Sequence, residues 1–400
     1  GIICCLFWLH FGLITWYNLL DMNKKLIIGL SSKNESENIV RVVSLINNAI
    51  QQSNQTDLDI IVCLADSSSD DTRSSFSSTN GAFKKEILDI QKQGKGHAMY
   101  ALAQYASKIG ADYLLYSDAD LNIFDPKWIT LSRKVLDEGN NVAFFSRKPL
   151  WNAGDLTKNV AIPIIAAGWG VLVREPIGGE SMIDKKAAKC IAGRGLPFYA
   201  EKYGIDIYLT TLLLEHVRCT EIFLETHKGN SWRAYHDRDI AVTFGTEFVE
   251  LMQSAFAVLK KRKETAQTHL DSLSVLCDKK HTDLAPTAES DPDMDMLRNY
   301  LPTNKTLQNE ILGLRTTTQD QIKKTFSAGQ DFNGVSMADW LDILKEYFLF
   351  YKDKEGYEIS EPELRYLEIL FLARTYNEYM AFKGTDKWYN NIEAYADLAR

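Results

Sequence analysis

From Lys25 onward, short apolar runs alternate with amphipathic helical segments, and this alternation constrains the fold more than any other feature of the chain. The predicted strands are LIIGLSS, DIIVCLAD, EILDI and DYLLYSDAD. Between and after them, the apolar spacing predicts helices over Glu37–Gln52, His97–Lys108 and PKWITLSRKVLDEG. Strands that alternate with helices of about three turns form βαβ units, so the sequence predicts an α/β fold around a mostly parallel sheet.

The second half of the chain has a different pattern. From about Phe244 the strand alternation stops, and long helices are predicted over Glu247–Lys261, Leu297–Gly313, Met337–Tyr351 and Pro362–Phe382. Asp278–Pro292 is rich in Asp, Thr and Pro and is predicted to be a surface connection. We therefore predict an α/β domain over 22–243 and an α-helical domain over 244–400, through which a homodimer could form.

Residues 1–21, GIICCLFWLHFGLITWYNLLD, form the one membrane-like segment of the sequence. His10 and Asn18 interrupt its apolar run, and Met22 stands shortly before Lys24, Lys25 and the first predicted strand. Two interpretations stay open: a leader that is not part of the native protein, or an anchor that contacts a membrane through residues 2–20. The first interpretation predicts a cytoplasmic protein that is active when it starts at Met22.

Composition excludes some classes of function. The 400 residues carry a formal net charge of −8, so a general nucleic-acid-binding surface is not expected. The six cysteines are scattered without a CxxC pair, which argues against a zinc site or a disulfide framework and favours a reducing compartment.

Polar clusters follow the predicted strands, where ligands bind in parallel sheets. The clusters are SSKNE, ADSSSDD, QGKGH and SDAD. In the last of them, Asp118 and Asp120 stand two residues apart at a strand end, so both carboxylates can face one point. Such a pair suits Mg²⁺ or Mn²⁺ that holds a substrate diphosphate, although a pair of solvated turn acids has the same pattern.

Other motifs suggest contacts to a nucleotide and a sugar. Asp66 at a strand end could accept hydrogen bonds from a nucleobase, and Lys95 between two glycines at a helix start could approach phosphate. Gly178 and Gly179 precede Glu180, whose carboxylate could accept sugar hydroxyls. Each of these motifs alone also fits an exposed turn or a polar loop. Two later residues could bind ligand or have a purely structural role: Asp206 could be a helix N-cap, and His236 could be a structural histidine.

The order of these motifs along the chain is more specific to a protein family than any single motif. DSSSDDT, GKG, DAD, GGE, GID and a late histidine follow one another as in a GT-A-fold glycosyltransferase. From about Lys25 to the C-terminus, the chain resembles the retaining mannosylglycerate synthases and glucosyl-3-phosphoglycerate synthases, notably in DADLNIFDPKWI, EPIGGE, YGIDIYL and DFNGVSMADW. This resemblance implies a Rossmann-like mixed sheet of the nucleotide-diphospho-sugar transferase type. It also implies a divalent metal, GDP-mannose or UDP-glucose as donor, and D-glycerate or 3-phosphoglycerate as acceptor.

The resemblance assigns roles by position. It implies metal contacts from Asp118, Asp120 and His236, and nucleotide contacts from Glu35, Asp66, Lys95 and Asp118. It implies donor-sugar contacts from Gly178, Gly179, Glu180 and Asp206, with Asp206, Glu180 and Lys95 as catalytic groups. The acceptor region drifts from the family pattern, and Arg147 is chosen there as a carboxylate clamp from its charge and location, with Arg238 as second choice.

Retention of the anomeric configuration could proceed through a covalent intermediate. It could also proceed through attack by the acceptor on the face of the sugar from which the leaving group departs, and we favour this same-face attack.

Two alternatives assign the chain a different function. An inverting family 2 type transferase acting on a glycan or lipid would need an ED pair and often a QxxRW helix, which are absent from the sequence. A non-catalytic sugar-nucleotide-binding scaffold would not need the full set of acids.

Overall fold

The computed structural model describes residues 23–147, 154–224, 240–265, 274–277, 334–352, 354–359 and part of 364–377. The strands are β1 Lys24–Ser32, β2 Leu58–Asp66, β3 Lys84–Asp89, β4 Tyr113–Asp118, β5 Val142–Arg147, β6 Ser181–Asp184, β7 Cys219–Leu224 and β8 Ser274–Cys277. The α-helices are α1 Ile39–Ser53, α2 Thr72–Ser78, α3 Lys95–Ile109, α4 Lys127–Asp137, α5 Ile162–Trp169, α6 Lys185–Ala192, α7 Ile205–His216, α8 Ile240–Thr265 and α9 Met337–Tyr351. A π-helical turn over Thr157–Ala161 leads into α5, and a 3₁₀ turn over Phe198–Ala200 precedes α7.

The strands form one mixed sheet in the order β3-β2-β1-β4-β6-β5-β7-β8. Strand β6 runs antiparallel to both of its neighbours, and the other pairs are parallel. The register pairs Ser32 with Asp66 and Ser31 with Asp118. The carboxyl ends of β1, β2 and β4 therefore lie side by side, and β5 points in the same direction. The predicted fold class, α/β with a mixed sheet and flanking helices, is confirmed.

Both faces of the sheet are covered, because the central strands are almost continuously apolar. In β1, Leu26 and Ile28 face a core shared with α1 and α4, whereas Ile27 faces a second core on the opposite side. Residues of α3, α6, α7 and α8 contribute to this second core. Trp128 of α4 and Trp340 of α9 are fully buried, one in each core. The helices are thus held to the sheet by burial of apolar surface, which fixes the loops at its edge.

The described helical region packs directly on the sheet domain. Helix α8 begins at Ile240, so the predicted boundary between 243 and 244 falls inside it. Phe248, Leu251 and Met252 of α8 belong to the same core cluster as residues of β1 and β4.

The predicted helix Met337–Tyr351 matches α9, and Pro362–Phe382 is helical where it is described. Leu297–Gly313 and Asp278–Pro292 lie outside the described residues, as does the segment 1–21. Among the helices that are described, none is long and apolar enough to cross a membrane.

Candidate active site at the carboxyl edge of the sheet

The loop between β3 and α3 brings a lysine to the carboxyl edge of the sheet. Gly94 has φ +141°, a conformation that L side chains rarely adopt, and α3 begins directly after it at Lys95. A Cβ on Gly94 would lie 2.3 Å from the carbonyl oxygen of Glu201, and one on Gly96 would lie 1.9 Å from that of Ala200. The two glycines therefore let the loop touch another backbone segment, and this contact fixes Lys95.

The ammonium of Lys95 joins two acids that are far apart in the sequence. Its Nζ lies 3.3 Å from Oδ1 of Asp118, at the end of β4, and 3.1 Å from Oδ2 of Asp206, in the first turn of α7. It also lies 5.9 Å from the centre of the Tyr203 ring. Burial lowers the pKa of Lys95, but the nearby charges of Asp118 and Asp206 outweigh it and raise that pKa well above the usual value. The lysine is therefore a fixed cation at neutral pH.

The loop before β6 covers Lys95 and Asp118 with its backbone and not with a side chain. Gly179 has φ +82°, and a Cβ there would lie 2.9 Å from Nζ of Lys95 and 3.0 Å from Oδ2 of Asp118. Gly178 precedes it, and a Cβ at that position would lie 3.2 Å from Oε2 of Glu175. The two glycines thus keep the loop close to the charged groups without obstructing them.

Glu180 belongs to a second, more deeply buried charge cluster. Nη1 of Arg147, at the end of β5, lies 3.0 Å from Oε2 of Glu180 and 3.5 Å from Oε2 of Glu175. The amide of Arg147 also donates to Oε1 of Glu175 at 3.1 Å. The guanidinium lies 4.8 Å from the centre of the Trp128 ring, and the Arg147 side chain is 1% exposed. Arg147 is therefore a structural partner of Glu180, whatever else it binds.

Glu180 and Asp206 nonetheless line one narrow cleft between the sheet and α7. That cleft is lined by Met99, Tyr116, Phe144, Glu175, Pro176, Gly178, Gly179, Glu180, Ser181, Asp206, Leu209, Thr210 and Leu213. Its walls are mostly apolar, and three carboxylates, those of Glu175, Glu180 and Asp206, stand among them.

Two residues predicted to contact the nucleotide, Asp66 and Glu35, lie at the carboxyl end of β2 and in the loop after β1. Asp66 is fully buried and accepts hydrogen bonds from the hydroxyls of Ser32 and Ser68, from the amide of Ser68 and from Nε of Arg73. Burial raises the pKa of Asp66, but these hydrogen bonds outweigh it and lower the pKa below the usual value. The carboxylate of Glu35 accepts from Nδ2 of Asn38 at 2.7 Å, just before α1. In this conformation both acids organise the loops at the ends of β1 and β2.

The structure describes two of the three predicted metal ligands, Asp118 and Asp120. Asp118 ends β4 with a side chain 17% exposed, and Asp120 is half-buried in the turn that follows. Nη2 of Arg41 approaches the carbonyl of Asp120 at 3.4 Å. His236 and Arg238 lie outside the described residues. Within the part of the chain that the structure describes, no group of three or more His, Cys, Asp or Glu side chains could hold a metal.

Two residues of the site were not selected from the sequence. Glu175 contacts Arg147 through both carboxylate oxygens, and it stands in the motif EPIGGE, which drew attention to its glycines and to Glu180 instead. Tyr203 places its ring near Lys95, and it directly precedes the GID motif. Asp206 is not the N-cap of α7, because Gly204 holds that position.

No protein-family model matches the chain, and no curated protein matches it. The chain is, however, similar to several solved structures. The chain is similar to glucosyl-3-phosphoglycerate synthase from Mycobacterium tuberculosis in complex with Mn²⁺, UDP-glucose and phosphoglyceric acid, with 19% identity, 58% of this chain and 80% of that chain covered, and a TM-score of 0.45. The same enzyme with phosphoglyceric acid has 19% identity, coverages of 62% and 82%, and a TM-score of 0.47. Its complex with Mn²⁺, UDP-glucose and glycerol 3-phosphate has 20% identity, coverages of 62% and 82%, and a TM-score of 0.46. In structure as in sequence motifs, the chain resembles glucosyl-3-phosphoglycerate synthases.

Proposed function

We propose that the chain is a metal-dependent retaining glycosyltransferase that moves a hexose from a nucleoside diphosphate sugar to a small hydroxy acid. One observation carries the proposal: the ammonium of Lys95 lies within 3.3 Å of Asp118 and 3.1 Å of Asp206, with the backbone of Gly179 packed against it. A fixed cation suits the negative charge of a diphosphate leaving group. The adjacent carboxylates suit the positive charge that develops on the sugar when the glycosidic bond breaks.

Lys95 is the group that binds and stabilises the leaving group in this proposal. Its ammonium keeps its proton at neutral pH, because the nearby acids raise its pKa. Its backbone is fixed at the start of α3 by the close contacts of Gly94 and Gly96, so little reorganisation accompanies the reaction. As charge accumulates on the diphosphate, the attraction to Nζ grows, which favours the transition state over the bound donor.

The residues at the end of β4 fit a hard divalent ion that arrives with the nucleotide. Mg²⁺ and Mn²⁺ are commonly held by one or two carboxylates together with substrate phosphates and water. Asp118 and Asp120 offer two carboxylates there, and Gly179 leaves room because a Cβ would approach Asp118 to 3.0 Å. When bound, such an ion would neutralise charge on the diphosphate. His236 stays a predicted third ligand.

Asp120→Asn is expected to weaken Mn²⁺ binding in the presence of UDP or GDP by more than about tenfold, or about 1.4 kcal/mol, because one anionic ligand becomes neutral. The electron paramagnetic resonance signal of free Mn²⁺ measures this binding. Asp59→Asn is the matched control, since Asp59 pairs with Lys84 near the amino end of β2, away from the site. Equal Mn²⁺ affinity in the Asp120 and Asp59 variants would exclude Asp120 as a ligand.

Asp206 and Glu180 support the sugar side of the proposal. Both line the cleft beside Lys95, and both are almost fully buried. A buried carboxylate can stabilise an oxocarbenium-like centre with less competition from water than an exposed one. We propose that retention arises from same-face attack by the acceptor hydroxyl. Asp206 is then the carboxylate beside the leaving group, because it pairs with Lys95, which binds the diphosphate in this proposal.

Arg147 supports an acceptor that carries a carboxylate. Its Nη1 pairs with Glu180 and Glu175, whereas its buried Nε and Nη2 have no hydrogen-bond partner among the described residues. A guanidinium with two such N–H groups can bind a carboxylate in a bidentate manner. At Arg147 this requires the surrounding side chains to move, because the guanidinium is 1% exposed and does not line the cleft. D-glycerate and 3-phosphoglycerate are the acceptors we propose, with UDP-glucose or GDP-mannose as the donor.

Gly179→Ala is expected to lower transfer by roughly tenfold or more, because the new methyl group would displace Lys95 from Asp118. Gly110→Ala is the control: its φ of +65° imposes a similar backbone strain, but no atom lies within 4 Å of the added Cβ. Gly110→Ala should lose the thermal stability that backbone strain alone costs and keep its activity, whereas Gly179→Ala should lose activity. Equal activity of both would contradict the close approach at Gly179.

Transfer itself is tested by a panel of UDP-glucose, GDP-mannose and GDP-glucose against D-glycerate and 3-phosphoglycerate, with Mn²⁺ or Mg²⁺. Mass spectrometry detects the glycosylated acid, and the anomeric proton coupling or chemical shift in the NMR spectrum gives its configuration. We expect one donor–acceptor pair to give a product with the anomeric configuration of the donor. An inverted product, or transfer to lipid or oligosaccharide acceptors alone, would overturn the proposal.

A further inference from the structure

Residues 199–204 connect the lysine loop with the helical half of the molecule. On one side, the carbonyl oxygens of Ala200 and Glu201 touch Gly96 and Gly94, which leave no space for a side chain. On the other side, the segment leads directly into α7, whose first turn carries Asp206. A shift of this segment would therefore move Lys95 through its loop and Asp206 through α7.

Helix α8 holds the segment from the opposite side. Oε2 of Glu250 accepts a hydrogen bond from the amide of Tyr203 at 3.1 Å, and Oε1 lies 3.1 Å from Nζ of Lys202. The hydroxyl of Ser254, which is fully buried, donates to the carbonyl of Gly204 at 2.8 Å. A Cβ on Gly204 would lie 2.5 Å from Cβ of Ser254, so helix and segment are in direct contact.

The helix is in turn fastened to the segment 354–359. Nζ of Lys260 donates to the carbonyl of Gly356 at 2.6 Å and to that of Lys354. The side chain of Gln253 donates to the carbonyl of Tyr357 and accepts from the amide of Ile359 at 2.9 Å. The ring of Tyr357 lies 6.0 Å from that of Tyr199. Residues 199–204 are thus packed between the lysine loop and two elements of the helical half.

We propose that Glu250 is a positioning residue that sets the relative placement of Lys95 and Asp206 by holding residues 199–204. Its effect on catalysis depends on the function proposed above, but its effect on placement does not. The carboxylate is 20% exposed, and its amide contact fixes Tyr203, which lies against Lys95 and three residues before Asp206. The contact with Lys202 is secondary, because that side chain is 65% exposed and its charge is screened.

Glu250→Ala is expected to lower kcat for transfer by roughly ten- to a hundred-fold, because small misplacements of reacting groups are costly. Glu250→Gln should stay within about threefold of the wild type, since its amide oxygen still accepts from Tyr203. The control is Glu355→Ala, an exposed glutamate in the segment 354–359. Loss of thermal stability in Glu250→Ala without a loss of kcat would overturn the proposal, as would equal losses in the Ala and Gln variants.

Amide hydrogen exchange separates this inference from the proposed function. In Glu250→Ala, exchange should accelerate in peptides that cover 94–99 and 203–208, and in Glu250→Gln it should not. Acceleration confined to α8 would overturn the positioning role. If the wild-type chain transfers no sugar to any acceptor, the proposed function fails, and the exchange pattern alone then decides whether Glu250 positions Lys95 and Asp206.

Discussion

Lys95→Met is expected to lower kcat for transfer by roughly 10²–10³-fold, the usual cost of removing one group that stabilises developing negative charge. The variant keeps an unbranched stem as far as Cε but loses the ammonium between Asp118 and Asp206. The donor diphosphate then faces two carboxylates without their cation, so binding of the nucleotide should weaken as well. Steady-state kinetics with the active donor measure both effects.

Lys95→Arg distinguishes charge from geometry. Arginine keeps the positive charge, but its planar group does not reproduce a point charge between two acids. We expect intermediate activity, above that of Lys95→Met and below that of the wild type. Circular dichroism and the melting temperature establish that each variant is folded. A folded Lys95→Met variant with kcat within about threefold of the wild type would remove Lys95 from the mechanism.

Arg147→Met is expected to destabilise the fold by about 3–5 kcal/mol, the usual cost of breaking a buried ion pair by removing one partner. Arg147 is 1% exposed, and Glu180 and Glu175 lose the guanidinium that lies within 3.5 Å of both. The stacking on Trp128 is lost too. Urea unfolding at neutral pH measures the change in the free energy of unfolding.

The double variant Arg147→Met/Glu180→Gln tests whether the loss arises from the unpaired acid. It should be more stable than Arg147→Met alone, because a neutral amide then replaces the buried carboxylate that has lost its partner. An Arg147→Met variant within about 1 kcal/mol of the wild type would show that the pair contributes little.

Arg147→Lys tests the acceptor role, which depends on the fork geometry more than on the charge. The acceptor KM should rise by roughly ten- to a hundred-fold, as expected when a bidentate contact is lost. Donor hydrolysis without acceptor should change little. Unchanged acceptor kinetics would leave Arg147 with its structural role alone.

The order of elements in the first half of the chain could be predicted because its strands are strongly apolar and its helices amphipathic. The strand DIIVCLAD lies within β2, Leu58–Asp66, and the helix predicted over His97–Lys108 lies within α3, Lys95–Ile109. Strand β6 has only four residues, and its reversed direction depends on pairing with β4 and β5. No local pattern encodes such pairing, so its direction could not be predicted.

The position of Asp66 and Asp118 at the same edge of the sheet was predictable, because they end two parallel strands that both pair with β1. The pairing of Lys95 with Asp206 was not, because it depends on the contact between Gly96 and Ala200. The same applies to the pairing of Arg147 with Glu180, since a charge in a motif does not reveal whether a buried partner lies opposite. Tertiary packing decides both pairs.

Calorimetric titration of UDP and GDP in the presence of Mn²⁺ tests the nucleotide site most directly, because it does not depend on the acceptor. We expect one of the two nucleotides to bind to the wild-type chain and Lys95→Met to weaken this binding by at least about tenfold. Glu355→Ala should bind like the wild type. Binding of neither nucleotide to the wild-type chain, or equal affinity in Lys95→Met, would contradict a nucleotide site at Lys95.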